Sequence, residues 1–523
     1  MERLPSLHSA GSGLLFIMCA LAAPFYYSSV TSTSDTTARF FDAGRLWAER
    51  AAQSLFSNFG HLDIDFLMTG ILLHEYYLRT GECPKAFLIS GLIVRHIQVL
   101  QLNVEYDYDI WCHQSKISSA VKESRRRLLW ATYLLDKFIE CGIDQLCLVS
   151  ADDIQVQLPC LEDLFIRNVP CVTEMLSGQI LPFIDQPSTT EAAWNLDMRA
   201  YYIRAMAIRS QILRYVKNLK GEVPWENSQF KTLEEQLNSL ETSLPETLRQ
   251  CPENTCIFKA SGRLSLYFGL HILIAQTYDD LYRVGVSGLV YPNTATKWIR
   301  QNAPAEFITR CHRTCATKAV HIAKCLKELW EYHKDSLVDV PYAVHTQVCS
   351  SVLVTTLLSW SGSGPLLPKV SHQDYHNMLQ TNVNILQFLQ KYMKVDLYHE
   401  SASQALERFR MFSPQVPLRG LEAQPEAAFF TPPQFSLEYI LNPLGTYPMA
   451  RKDVDDRHEP HVNGLVVNQR PEGTPSLTGD GFILSHLLDW EQDITIMEGM
   501  GYPSFLSSLS NEDDRAWSNL QRG

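Results

Sequence analysis

The chain has 523 residues, 46% hydrophobic and 20% charged, with 57 acidic against 45 basic side chains and a net charge of −12. These proportions are globular and exclude a collagen-like or wholly disordered chain, while the length accommodates about two to four domains or one large helical array. The acidic excess argues against unaided grip on nucleic-acid phosphates, which takes surplus Lys and Arg.

Near the N-terminus, residues 14–23 (LLFIMCALAA) form an apolar run with small residues at Ala20 and Ala22. Glu2 offsets Arg3, so the flank lacks the positive charge of a signal peptide. The run also falls short of the roughly 20 apolar residues a bilayer span needs. It reads as a buried first helix. From about residue 40 to residue 400 the pattern is helical almost throughout. Residues 65–78, 85–102, 263–283 and 344–360 repeat apolar side chains at three- and four-residue spacing, in places on every face, as buried helices do. Connectors are expected at residues 81–84, 182–188, 220–224 and 362–368. Two-residue alternation with hairpin signals is nearly absent, so the expected fold is all-α, one large multi-helix domain.

Composition changes after residue 410. Residues 411–480 hold ten of the 26 prolines and read as a flexible linker. The last stretch is acidic: residues 451–523 carry 13 acidic and 6 basic side chains, a net of −7. Within it Leu487, Leu488, Trp490, Ile494 and Met497 alternate with Asp489, Glu491, Asp493 and Glu498. Two readings stand for residues 481–523. One is an activation segment whose apolar groups enter a partner's groove. The other is a C-terminal helix docked on the core.

Catalytic patterns are missing. No Gly-x-Ser-x-Gly, phosphate-cradling Gly-x4-Gly-Lys or Gly-x-Gly-x-x-Gly occurs, and His74-Glu75 lacks the second histidine of a helical zinc protease. Thirteen scattered cysteines contain no Cys-x2-Cys pair, so zinc-finger spacing is absent. With no Asn-x-Ser/Thr sequon, buried thiols in a reducing compartment are the simplest reading. Cys311, Cys315 and Cys325, near His312 and His321, fall on one helical face, where core packing accounts for them better than metal ligation. His271 and His345 lie on apolar helices and read as hydrogen-bonded core histidines.

One segment is specific. Residues 123–159 read ESRRRLLWATYLLDKFIECGIDQLCLVSADDIQVQLP. Leu128, Tyr133, Leu134 and Phe138 cluster at helical spacing, with Arg125, Arg126 and Arg127 expected in the opening turn and paired with nearby acids. Ser150 to Asp153 look like a capped turn starting a short element that Pro159 ends. The segment resembles the signature of the fungal-specific transcription factor domain, the middle homology region of fungal zinc-cluster regulators. There an Arg-Arg-Arg-Leu-x-Trp run precedes Tyr-x-x-Asp-Arg/Lys and Asp-Ile-x-Val-x-Leu-Pro. The matching positions are Arg125, Arg126, Arg127, Leu128, Trp130, Tyr133, Asp136, Lys137, Asp152, Asp153, Ile154, Val156, Leu158 and Pro159. Residues 233–248 are similar to the family's Leu-x3-Leu-x-x-Trp-x3-Leu-Pro run, with Leu240 in place of Trp. The likeness covers roughly residues 10–400.

Departures accompany it. Asp144-Gln145-Leu146 replaces a Gly-Arg-Pro, and Gln276-Thr277 stands where an Arg-Pro is usual. The six-cysteine zinc module with which family members usually begin has no counterpart in these 523 residues. The resemblance implies a nuclear transcription regulator of metabolic or secondary-metabolite genes. Residues 1–410 would form its regulatory domain, 411–480 a linker and 481–523 an activating tail. It implies no cofactor in this chain, zinc belonging only to the missing module. Its partners would be other regulators or coactivators, as a homo- or heterodimer, with DNA reached indirectly and no membrane. The alternative within the family is a truncated helical module that heterodimerises with a full-length regulator and modulates it. From another class, an enzyme or secreted protein would use the N-terminal run as a signal.

Overall fold

The computed structural model describes residues 12–30, 39–105, 117–180, 189–219, 223–226, 228–289, 294–362 and 364–411. Among them are sixteen α-helices and no strand, only three isolated bridges. All fall in one compact unit. The expected linker and tail, from residue 412 on, and the 182–188 connector lie outside the described residues.

The first four helices, α1 (Gly13–Val30), α2 (Arg45–Ser57), α3 (Ile64–Arg79) and α4 (Cys83–Val99), pack on one another. α1 is longer than the apolar run suggested, because it continues through Pro24. At 18 residues it is long and apolar enough, on length and composition alone, to cross a bilayer, so the length argument against a span fails. Here it packs against α2 and α3 and buries Ile17, Ala20, Ala23 and Pro24. Proline has no N–H to give the Ala20 carbonyl, and Gly44 lies against that carbonyl, where any Cβ would collide with it. Asp63 starts α3 by accepting a 2.6 Å hydrogen bond from the Phe66 N–H. The connector at 81–84 is shorter than expected: Cys83 and Pro84 already belong to α4, with proline in its first turn, where its missing N–H costs nothing.

The signature helix, α5 (Ser119–Glu140), is followed by two short helices, α6 (Glu162–Ile166) and α7 (Thr189–Trp194), and by α8 (Met198–Lys217) and α9 (Ser228–Ser243). α10 (Pro252–Ala260), α11 (Leu264–Tyr282), α12 (Thr294–Asn302), α13 (Ala305–His333), α14 (Val340–Leu358), α15 (His372–Leu389) and α16 (Asp396–Met411) complete the unit. α11 is buried on nearly every face between α8 and α13, and α14 packs on α13, α15 and α16. That burial explains their all-round apolar patterns. The two ends of the unit meet. The Lys394 N–H donates to Arg79 O (2.7 Å), Arg39 pairs with Asp396 (2.6 Å), and the Phe25 ring stacks on Tyr392.

Cys311, Cys315 and Cys325 lie on the core face of α13. His271 is the core histidine its sequence suggested, its Nε2 2.9 Å from the Leu248 carbonyl. His345 is equally buried, and its Nδ1 has no hydrogen-bond partner among the described residues.

Candidate functional site

The arginine triplet is not in the opening turn of its helix. α5 begins at Ser119, with Ser118 as cap, so Arg125 to Arg127 sit about two turns inside it. The cap lies seven residues before the first arginine, with only Lys122 and Glu123 as charged residues between them. Arg125 is half-buried, while Arg126 and Arg127 turn inward. Arg126 Nε donates to both oxygens of Glu105 (2.9 and 3.1 Å), and its Nη1 reaches Glu123 at 3.4 Å. Arg127 Nε donates to Glu123 Oε1 (3.0 Å), its Nη1 to Glu162 (2.9 Å) and its Nη2 to the Cys160 carbonyl (3.2 Å). Glu123 also accepts the Cys160 N–H (3.0 Å).

The frame extends into α8. Glu162 is shared with Arg199, and Asp197, the cap of α8, accepts from Arg199 N (2.9 Å) and pairs with Arg263 (3.1 Å). Four guanidiniums, Arg126, Arg127, Arg199 and Arg263, thus face four carboxylates, Glu105, Glu123, Glu162 and Asp197. That balance leaves these four cations no surplus for a phosphate. Burial works against the Arg126 and Arg127 charges, but Glu105 beside Arg126 and Glu123 beside Arg127 outweigh it and hold both guanidiniums above their ordinary value. Burial likewise opposes the Asp197 charge, and Arg199 and Arg263 more than compensate, keeping its carboxyl below the usual range. Such a network is costly to break at one member.

Trp130 fills the space beneath, 1% exposed, with its indole N–H donating to Gln157 O at 2.8 Å and its ring edge-on to Tyr133. Leu128, Tyr133, Ile154, Val156 and Leu158 are buried with it. Ser150 caps the short turn Ala151–Asp153 through the Asp152 N–H, as its sequence suggested, leaving Asp152 and Asp153 exposed. The turn ends at Asp153 rather than Pro159. Residues 154–160 run extended, because bridges at Gln155, Gln157 and Cys160 tie them to Val104, Met175 and Leu196.

Asp136 and Lys137 form a second cluster at the end of α5. The Lys137 ammonium sits 2.7 Å from Glu140, 3.3 Å from Asp136 and 3.1 Å from Cys147 Sγ. Asp136 also accepts the N–H groups of Leu148 and Val149 (3.1 and 3.0 Å). Asp136, Glu140 and Cys147 could in principle surround a metal ion, but the lysine already supplies the cation among them. α5 ends at Cys141 and Gly142, both with positive φ (47° and 77°). A Cβ on Gly142 would strike the α8 backbone at Leu213 and Arg214, so this glycine permits the helix contact.

Beside this cluster an open cleft of about 1310 Å³ runs between the end of α5, α8 and α9. Tyr133, Ile208 and Leu240 supply apolar wall, and Lys137, Arg204 and Arg214 the basic groups. Arg204 is paired with Glu174, and Arg214 with Asp144. Leu240, where the resemblance expects Trp, is buried, as are Leu233 and Leu237 in α9 and Leu244 just beyond its end. The Asp144–Leu146 departure forms a single turn of 3-10 helix, and Gln276 and Thr277 are buried in α11. Glu105, Glu162, Asp197, Arg199 and Arg263 escaped sequence reasoning, since they come from five separate positions outside the arginine run. The candidate tail residues Leu487, Leu488, Trp490, Ile494 and Met497 lie outside the described residues.

Comparison with known proteins gives residues 2–241 as a match to the fungal specific transcription factor domain. The chain is 25% identical over 392 residues to the Zn(2)-C6 fungal-type transcription factor FTF1c of Fusarium oxysporum f. sp. lycopersici, covering 72% of this chain and 40% of that protein. It is 28% identical over 390 residues to FTF2 of the same organism, over 72% of this chain and 34% of that one. An uncharacterized transcriptional regulatory protein of Schizosaccharomyces pombe is 28% identical over 283 residues, 52% of this chain and 28% of the other. The chain therefore spans two fifths or less of the length of these relatives. No solved structure matches it.

Proposed function

We propose that this chain, whose residues 2–241 are a fungal specific transcription factor domain, is a nuclear transcription regulator of the fungal zinc-cluster type and not an enzyme. The observation that carries the reading is that the family's signature forms the internal frame of the helical unit, with Arg126, Arg127 and Trp130 engaged inside it. Residues 1–410 act as the regulatory domain, 411–480 as a linker and 481–523 as the activating segment. The target is a metabolic or secondary-metabolite gene cluster. DNA is reached through a partner or a separate zinc module, since the frame's arginines are occupied and the chain's net charge is −12. Zinc is assigned to that separate module, and α1 serves as a packed helix rather than a membrane anchor.

A pull-down with the full chain against fungal nuclear extract tests the proposal. Recovery of a zinc-cluster regulator or of Mediator-type coactivators is the expected result. Recovery of neither, from an extract in which both are detected, contradicts it. Recovery of a full-length zinc-cluster relative alone, with target genes rising when the chain is deleted, would instead favour the modulating heterodimer.

A further inference from the structure

The internal frame leaves the signature's Asp152 unused. It stands exposed on the turn after α5 and borders the open cleft of about 1310 Å³ beside the Lys137 cluster. α8 packs against both α5 and α9 and lines the cleft between them. It contributes the face that runs from Arg204 through Gln211 to Asn218, and α9 the face from Gln229 through Gln236 to Ser243. Positions 204 to 218 and 229 to 243 make this trough about 20 Å long, at roughly 1.5 Å per residue. Its volume exceeds the roughly 300–1,000 Å³ of a compact small-molecule pocket. An open trough of that length suits a long, thin ligand.

The charges on the wall decide the class of that ligand. Every basic group there is already neutralised. The Lys137 ammonium is enclosed by Glu140 (2.7 Å) and Asp136 (3.3 Å), Arg204 pairs with Glu174, and Arg214 with Asp144. Two acidic groups are not. Asp152 on the turn and Glu235 on α9 both line the cleft and are exposed, and neither pairs with a basic side chain among the described residues. Three cations thus face six carboxylates, a local net charge of −3. An anionic ligand finds no free cation here, and the acidic stretch of residues 451–523, with its net of −7, meets a field of its own sign. A bare divalent ion is no better served, since neither Asp152 nor Glu235 belongs to a set of three converging ligand atoms among the described residues. Between the charges, Leu176, Ala207 and Ile208 offer half-buried apolar surface. Gln211, Gln236 and Ser239 add neutral oxygens that can accept from an ammonium.

We propose that this cleft binds a linear polyamine, an alkyl chain carrying several ammonium groups. Asp152 and Glu235 each hold one ammonium from a different wall, and Ile208 and its neighbours cover methylenes between them. The proposal concerns binding by the folded unit and does not rest on the transcription reading.

Isothermal titration of the full chain with spermine tests it. The expected result is a saturable one-to-one phase. Asp152→Asn and Glu235→Gln, both at exposed positions, should each weaken that phase about three- to fivefold. Gln211→Lys, which places a cation on the α8 face of the trough, should remove it. Glu407→Gln, an exposed carboxylate on α16 outside the cleft, should change nothing. The melting curves of all four variants should match wild type. Should Gln211→Lys not fold, the two neutralising variants still decide the matter. Heats that never saturate, or that are equal in wild type and in the double variant Asp152→Asn with Glu235→Gln, would mean general attraction to an acidic chain and overturn the proposal. So would saturable binding of succinate, or of a lysine-rich peptide where spermine gives none.

Discussion

Removing Glu123 should unsettle the unit more than any exposed charge could. Glu123 is 2% exposed and accepts from Arg127 Nε, Arg126 Nη1 and the Cys160 N–H. Glu123→Ala abolishes two charge-assisted hydrogen bonds, worth about 1.5–3 kcal/mol each, and strands a buried N–H at about 1–3 kcal/mol. Arg126 retains Glu105, and Arg127 retains Glu162 and the Cys160 carbonyl, so part of the loss is recovered. A net cost of about 3–5 kcal/mol is expected, the range for breaking one side of a buried pair. Glu123→Gln keeps the shape and an acceptor for Cys160 but gives up the charge, and should cost about 2–3 kcal/mol. Urea unfolding of the full chain, followed by far-ultraviolet circular dichroism, measures both. The losses should persist at about 0.5 M salt, because buried pairs are screened little. A Glu123→Ala protein within about 0.5 kcal/mol of wild type, as a surface substitution would be, would refute the internal-frame reading and return Arg126 and Arg127 to the pool of residues available to outside partners.

Other outcomes follow from the same geometry. Trp130→Ala should cost about 3–5 kcal/mol, whereas Trp130→Phe, which leaves the Gln157 carbonyl without its indole donor, should cost about 1–3 kcal/mol in the same unfolding assay. Burial holds His271 down to about 4, so the unfolded state takes up its proton first as pH falls below about 6.5. Its contribution to stability is therefore present above that pH and lost as pH falls toward 4. Between about pH 6 and pH 4.5 wild type should lose about 1.4 kcal/mol per pH unit more than His271→Gln does. In gel-shift assays the purified chain should give no saturable, sequence-selective complex with fungal promoter DNA, and a band competed by one sequence alone would count against it.

The helical class, the clustering of Leu128 and Tyr133, the pairing of the arginines and the Ser150-capped turn were legible in the sequence because each rests on local spacing and residue type. The partners of those arginines were not. Glu105 precedes Arg126 by 21 positions and Glu162 follows Arg127 by 35, and only the extended crossing of residues 154–160 brings their segments together. The start of α5 was misread for the opposite reason: the charged run is conspicuous, but a lone serine sets the boundary. α1 runs beyond the apolar 14–23 stretch through Pro24, and Gly44 lets another segment approach the carbonyl that proline leaves free. His345 shows the limit of composition, since an apolar helix tells that a histidine is buried and not whether both nitrogens find partners.

The most direct test of the central claim is transcription itself. The full chain, fused to a heterologous DNA-binding domain and placed at a reporter promoter in a fungal host, should raise reporter output well above that of the DNA-binding domain alone. Residues 480–523 fused by themselves should retain activity, and Leu488→Ala with Trp490→Ala should abolish it while the neighbouring acids remain. A stable, nuclear full-chain fusion that leaves the reporter at the level of the DNA-binding domain alone would contradict the account.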